Sequence, residues 1–167
     1  MSQQSFAGLG VSPPVVAALA ARSIDQPFAI QALVLPDAMS GLDVLARSPT
    51  GSGKTLAFAL PIVERTAPRD AQPSALVLVP TRELAVQVTE ELELLGRIKG
   101  LKVASVYGGV PLHAQSKRAQ KAHVLVATPG RLEDLAQRRM VDLSHIRTLI
   151  LDEADRMLDM GFQPQVD

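Results

Sequence analysis

Residues 48–55 decide the fold of this chain and read Ser48-Pro49-Thr50-Gly51-Ser52-Gly53-Lys54-Thr55. They follow the apolar run Val44-Leu45-Ala46, which predicts a strand leading into a tight loop. Gly51 and Gly53 let the backbone turn so that successive N–H groups converge on phosphate oxygens. Lys54 adds a positive charge, the Thr55 hydroxyl can ligate Mg²⁺, and a helix beginning near Lys54 directs the positive end of its dipole at the same anion. The stretch therefore predicts a nucleoside triphosphate site.

Ser48 stands where a strict phosphate loop begins with glycine. This departure leaves a second interpretation open, in which the segment is a glycine-rich turn without a ligand. Acidic residues about a hundred positions downstream favour the phosphate loop, because such loops act together with a carboxylate that holds Mg²⁺.

Length and composition set the class of protein. A chain of 167 residues is expected to form one domain with an ordinary core. Cysteine is absent, no N-terminal leader pattern is visible, and no run reaches the ~20 apolar residues of a membrane span. We therefore expect a cytoplasmic protein with no membrane association. Lys plus Arg and Asp plus Glu are both 17, so any site for a polyanion must be local.

From residue 43 onward, short apolar runs alternate with amphipathic segments. The candidate strands are 44–46, 76–79, 103–106, 124–126 and 149–151. Continuous apolar runs suit strands that are covered on both faces, and the segments between them carry leucines at helical spacing. We predict an α/β fold, a doubly wound parallel sheet with helices on both faces, whose ligands lie off the carboxyl ends of the strands. Residues 1–42 are expected to form two helices, roughly 12–22 and 28–39, and residues 43–167 the core of one structural domain.

Carboxylates follow the last candidate strand in the stretch Asp152-Glu153-Ala154-Asp155. At the carboxyl end of a strand they would lie on the same edge of the sheet as the phosphate loop. Asp152 is expected to hold the Mg²⁺ that Thr55 touches, partly through water, and Glu153 to orient or deprotonate an attacking water. The alternative is that these acids only open a helix, where they suit the dipole.

Further motifs resemble those of the N-terminal RecA-like domain of DEAD-box RNA helicases, and the resemblance covers nearly the whole chain. Besides residues 48–55 and 152–155, they are Gln31, the run Pro80-Thr81-Arg82-Glu83-Leu84-Ala85, Gly108-Gly109, Thr128-Pro129-Gly130-Arg131 and the segment 156–162. The order of these motifs along the chain is that of the family.

The resemblance implies ATP and Mg²⁺ as ligands, with Lys54, Asp152 and Glu153 in catalytic roles and Asp155 within the nucleotide site. Phe6 would stack on adenine, Pro27 would support the neighbouring loop, and Gln31 would match the adenine edge by donating and accepting at once. Gln31 would thereby select ATP over GTP. The chain has Ser23-Ile24 where the family has glycine and an aromatic residue, and Phe28 where it has threonine.

The resemblance also implies an RNA site that reads the backbone, with little base specificity. Its residues would be Pro80, Thr81, Arg82, Gly108, Gly109, Thr128, Pro129, Gly130 and Arg131. For Thr81 and Thr128, ordinary helix capping is the alternative. Lys117, Arg118 and Lys121 would form either a basic face beside the RNA path or a solvated helix face. We expect the three histidines, His113, His123 and His145, to be surface or loop residues without a metal.

The family's Ser-Ala-Thr motif and second RecA-like domain are not found in residues 1–167. The resemblance implies that the second domain supplies an arginine finger, worth about 10³–10⁵ in rate, so little turnover is expected from this chain alone. Two alternatives stay open. A small-molecule kinase would leave the motifs at 80–85 and 128–131 idle, and a non-catalytic module would bind RNA or a protein partner without turnover.

Overall fold

The computed structural model describes residues 5–41, 54–153 and 157. The chain divides into two compact units, Met1–Arg65 and Thr66–Asp167. The predicted strand 44–46 and the loop residues 48–53 lie outside the described residues, as do Asp155 and most of the segment 156–162. The division predicted at residue 42 stays a prediction; the two compact units meet between Arg65 and Thr66.

The N-terminal unit contains a short 3₁₀ helix, Ala7–Leu9, and three helices, α1 (Pro13–Ala21), α2 (Ala29–Met39) and α3 (Lys54–Arg65). Both helices predicted before residue 43 are confirmed. Helix α2 packs against α3. Helix α3 begins at Lys54, as expected for a helix that opens from a phosphate loop, and continues through Pro61. The start of α1 is joined to the end of α3, because the Ser12 hydroxyl donates to Glu64 Oε1 over 2.8 Å.

Helix α1 ends in a left-handed residue that is not glycine. Ser23 has φ 62°. Its N–H donates to the Ala20 carbonyl and the Ile24 N–H donates to the Leu19 carbonyl, each over 2.9 Å. This pair of bonds is the Schellman motif, in which the left-handed position favours glycine. The left-handed backbone at this position therefore explains why the family has glycine where this chain has Ser23.

The C-terminal unit holds a four-stranded parallel sheet. Its strands are β1 (Ala75–Leu78), β2 (Val103–Val106), β3 (Val124–Ala127) and β4 (Thr148–Leu151), in the order β2-β3-β1-β4. The register places Leu78 opposite both Ala127 and Leu151. The four candidate strands that fall within the described residues are confirmed, each to within one residue at either end. Their carboxyl ends lie on one edge of the sheet.

Helices cover both faces of this sheet. They are α4 (Arg82–Gly96), α5 (Leu112–Gln120) and α6 (Pro129–Gln137). One face packs with α5 and α6 in a cluster formed by Leu76, Leu78, Ala104, Val106, Ala119, Ala122, Leu125, Ala127, Leu132, Leu135, Val141 and Met157. On the opposite face α4 packs against β2 and β3 and buries Ala85, Val88, Leu92 and Leu95. The predicted doubly wound α/β fold is confirmed.

His123 lies in the loop just before β3, which agrees with the predicted surface or loop position, but it is buried. Its Nδ1 accepts the Lys102 N–H over 3.0 Å. That nitrogen therefore carries no proton, and Nε2 donates to the Pro68 carbonyl over 2.9 Å. His123 joins the loop after residue 66 to the start of β2. His113 and His145 are exposed, as expected.

Candidate functional site

The chain leaves β1 through buried Val79 and Pro80 and starts α4 at Thr81. Thr81 has an extended backbone, and its Oγ1 accepts the Leu84 N–H over 3.2 Å, so it caps the helix, and its RNA contact stays a prediction. The Arg82 guanidinium lies over the Tyr107 ring, 5.0 Å from its centroid. This contact is a cation–π interaction between the segments that follow β1 and β2.

Two exposed glycines follow Tyr107 at the end of β2. Gly109 has φ 86°, and a Cβ on it would stand 3.3 Å from Arg82 Nη1. Glycine is thus favoured there by its left-handed backbone. A Cβ on Gly108 would meet nothing within 4 Å, so the space above it is open.

The segment after β3 contains a second helix start. Thr128 is extended and makes no capping hydrogen bond with its hydroxyl, and Pro129 is the first residue of α6. Gly130 is exposed, and a Cβ there would also meet nothing within 4 Å. Proline suits the first position of a helix, because its missing N–H would have no partner there. The RNA contacts of Thr128, Pro129 and Gly130 stay predictions.

Arg131 is held inside the unit rather than extended into solvent. Its Nη1 donates to the Val110 carbonyl over 2.8 Å and to Gln115 Oε1 over 3.0 Å. Gln115 is only 2% exposed. Arg131 therefore fixes the loop that carries Gly108 and Gly109. Sequence reasoning assigned Arg131 to RNA and did not identify Gln115 or Tyr107, although Tyr107 is the only tyrosine of the chain and directly precedes the two glycines.

Asp152 and Glu153 follow β4 at the same edge of the sheet. Asp152 is 5% exposed, and its N–H donates to the Leu78 carbonyl over 2.9 Å, which extends the pairing of β4 with β1. Glu153 is partly exposed and has φ 57°. A left-handed glutamate is uncommon, and such backbone often occurs at functional sites. The sheet thus brings together the predicted segments at 80–82, 108–109, 128–131 and 152–153.

The N-terminal unit carries the residues predicted to contact adenine. Gln31 is 1% exposed, and its Oε1 accepts the Phe28 N–H over 2.9 Å, so the amide caps α2 from its first turn. Phe6 is 2% exposed and packs within the chain. Pro27 is half-buried, whereas the Phe28 side chain is 60% exposed. The adenine-stacking role of Phe6 stays a prediction, and such a role needs more of the ring to be accessible.

Lys54 and Thr55 form the first turn of α3, and both are half-buried. Among residues 5–41, 54–153 and 157, no three His, Asp or Glu side chains converge as a ready-made metal cluster. Mg²⁺ commonly takes one or two carboxylates together with phosphate oxygens and water. Thr55 and Asp152 each carry an oxygen donor of the kind that Mg²⁺ takes, and their roles stay predictions.

Lys117, Arg118 and Lys121 do not lie beside this edge. They line a cavity with residues 101–104, where β2 begins, at the opposite end of the strands. The interpretation that places them beside the RNA path is therefore disfavoured by their position.

Residues 28–167 match the sequence model of the DEAD/DEAH box helicase family. The chain belongs to this family. It is 46% identical over 163 residues to the DEAD-box ATP-dependent RNA helicase CshA of Streptococcus pneumoniae, a match that covers 97% of this chain and 31% of that protein. It is 41% identical to the CshA protein of Geobacillus kaustophilus, with 98% and 35% covered.

Solved structures of DEAD-box proteins agree with this membership. A DEAD box protein from the hyperthermophile Methanococcus jannaschii superposes with a TM-score of 0.93 at 39% identity, over 97% of this chain and 45% of that one. A hypothetical ATP-dependent RNA helicase from Sulfolobus tokodaii gives a TM-score of 0.85 at 40% identity, over 92% and 44%. The predicted RecA-like fold is thus confirmed, and the DEAD-box chain spans about a third of the curated relatives it matches. Within the described residues, no helix has the length and apolar character needed to cross a membrane.

Proposed function

We propose that this DEAD-box chain binds Mg-ATP and forms half of an RNA-binding groove in a cytoplasmic ATP-dependent RNA helicase. One observation carries the proposal: the segments after β1, β2, β3 and β4 lie at a single edge of the sheet, as do ligand sites in doubly wound folds. The named activity of the relatives gives the class of reaction. A small-molecule kinase is disfavoured because it gives no role to the segments at 80–82 and 128–131.

The RNA half is proposed to consist of two helix starts and the glycine loop between them. The N-terminal ends of α4 and α6 present N–H groups and a positive dipole, which suit phosphate oxygens. Open space above Gly108 and Gly130 lets a sugar–phosphate chain approach the backbone closely. Arg82 is exposed and would contact phosphate, while Arg131 would position the loop. Such contacts read the backbone and carry little base specificity.

The nucleotide half is proposed from the phosphate-loop residues and the acidic residues after β4. The loop 48–53 and Lys54 would bind the phosphates, Thr55 and Asp152 would hold Mg²⁺, and Glu153 would orient the attacking water. Mg²⁺, when bound, would offset charge on the phosphates. Gln31 would read the adenine edge with its side-chain amide, which can both donate and accept.

The rest of the helicase is proposed to include a second RecA-like domain. What supports this is the greater length of the relatives, of which this chain spans 31–35%. Closure of two domains over ATP and RNA would complete the groove and bring an arginine to the phosphates.

Calorimetric titration with Mg²⁺ tests the nucleotide half. The chain is expected to bind ATP and ADP in preference to GTP and GDP. Gln31→Glu keeps an acceptor for the Phe28 N–H but removes the amide donor, so it should abolish the preference. Its buried carboxylate is also expected to lower the free energy of unfolding, which urea denaturation measures. Equal affinity of the unmodified chain for adenine and guanine nucleotides would refute the role of Gln31.

Lys54→Ala is the matched variant on the phosphate side. It should weaken ATP and GTP alike, because it removes the charge proposed to bind the phosphates, and lower the free energy of unfolding by no more than about 1 kcal/mol. A loss above about 1 kcal/mol would show that Lys54 is structural.

A further inference from the structure

A groove runs beside β2, at the end of the sheet opposite the proposed RNA site. Strand β2 is the outermost strand of the order β2-β3-β1-β4. The floor of the groove is the start of this strand, residues 101–104, and its walls are the last turns of α4 and α5. The cavity encloses about 440 Å³ and is open to solvent. The proposed helicase function assigns nothing to it.

The groove is strongly basic in a chain whose charges are balanced. Five cations line it, Arg97, Lys102, Lys117, Arg118 and Lys121, against the single carboxylate of Glu93. All five are exposed. Arg118 donates to the Ala114 carbonyl, and among the ion pairs of the described residues none involves any of the five. Clustered cations of this kind attract a partner with several negative charges.

The main chain of β2 offers hydrogen bonds toward the groove. The carbonyls of Lys102 and Val106 accept from the β3 side, from the N–H groups of Val124 and Thr128. Peptide groups alternate in direction along a strand, so Val103 and Ser105 turn theirs away from β3. Within the described part of the chain, no main-chain bond fills these outward positions. An edge of this kind is a template for another strand.

We propose that this groove binds an acidic, extended segment of a partner protein, which adds as a strand to β2. Its main chain would pair with Val103 and Ser105, and its carboxylates would meet Arg97 on one wall and Lys117 and Lys121 on the other. A strand presents side chains alternately to its two faces, which here are the sides of α4 and α5. A nucleic acid fits less well, because phosphates lack the donors that the outward carbonyls of Val103 and Ser105 need.

Fluorescence anisotropy tests the proposal with a labelled peptide of repeated Glu-Glu-Val-Val, whose glutamates fall on both faces of a strand, added to the 167-residue chain. The peptide is expected to bind, and more weakly as salt rises. Replacing glutamate by glutamine tests the charge, and N-methylation of every second peptide nitrogen tests the strand pairing. Either change should weaken binding by about tenfold if charge and pairing both contribute. Unchanged affinity of the N-methylated peptide overturns the strand addition.

Charge reversals on the protein locate the site. The double variant with Arg97→Glu and Lys117→Glu should bind the peptide about tenfold more weakly, whereas Arg139→Glu, an exposed arginine outside the groove, should not change its affinity. Ser105→Pro removes one outward N–H that the peptide strand would use, so it should weaken peptide binding, and it keeps the ladder with β3. Circular dichroism checks that this variant folds. Equal loss in Arg139→Glu, or displacement of the peptide by single-stranded RNA or pyrophosphate at lower concentration than by unlabelled peptide, overturns the proposal.

Discussion

At the scale of single residues, Ser23 has a strained left-handed backbone, and a substitution by glycine would remove that strain. It stands with φ 62° at the left-handed position of the Schellman motif after α1, where a side chain costs energy that glycine avoids. Ser23→Gly is expected to raise the free energy of unfolding by about 0.5–1 kcal/mol. Urea denaturation measures the change.

Ser40 provides the matched control for this prediction. It also follows a helix of the N-terminal unit, but its φ of −81° lies in the right-handed region. Ser40→Gly should therefore bring no gain and lower stability slightly, since glycine loses more entropy on folding. A gain in both variants would mean that the left-handed backbone is not the cause.

Arg82 and Arg131 were both predicted to bind RNA, but the structure gives them different surroundings. Arg131→Ala should lower the free energy of unfolding by about 1–3 kcal/mol, because it leaves buried Gln115 without the donor to its Oε1. Arg82→Ala removes an exposed cation over Tyr107 and should cost about 1 kcal/mol at most.

Anisotropy with single-stranded RNA completes this comparison. Arg82→Ala should weaken binding and lower the slope of log affinity against log salt by ~0.7, the effect of one lost phosphate contact. A normal salt slope in Arg82→Ala, or unchanged stability in Arg131→Ala, would contradict the division of roles. Sequence alone could not separate the two, because both arginines follow a strand and open a helix.

At the scale of elements, His123 joins the loop after residue 66 to the start of β2. Loss of its ring would leave the Lys102 N–H without its acceptor and the Pro68 carbonyl without its donor. His123→Ala is therefore expected to lower the free energy of unfolding by about 2–3 kcal/mol. His113→Ala, at an exposed position of α5, should stay within about 0.5 kcal/mol. Similar losses in both would contradict this assignment.

The strands show how far the sequence predicts the elements. The apolar runs predicted β1 to β4 correctly, because a buried strand needs apolar side chains whichever strands lie beside it. They could not tell a central strand from an edge strand. Leu149 and Leu151 of β4 are 53% and 38% exposed, although their run reads like that of fully buried β1. The burial of His123 and the bonds of Arg131 depend on which loops the sheet order brings together, and no local pattern records that order.

At the scale of the whole molecule, the proposed mechanism needs one group besides the catalytic residues proposed in this chain. The residues proposed to hold Mg²⁺ and the proposed water-orienting Glu153 lie within residues 1–167, whereas an arginine from a second RecA-like domain is proposed to complete the charge stabilisation. Residues 1–167 alone are therefore expected to show almost no RNA-stimulated ATP hydrolysis. A chain extended by a second RecA-like domain should hydrolyse ATP about 10³-fold faster or more, since an arginine finger is worth at least that much.

Glu153→Gln in the extended chain separates chemistry from binding. The amide keeps the shape of the side chain and loses the base, so hydrolysis should fall to background while ATP affinity in calorimetry is retained. Loss of both would give Glu153 a role in holding the nucleotide or the fold, and urea denaturation of the same variant separates these two roles. Robust RNA-stimulated hydrolysis by residues 1–167 would show that no external arginine is needed, and the two-domain mechanism would fail for this protein.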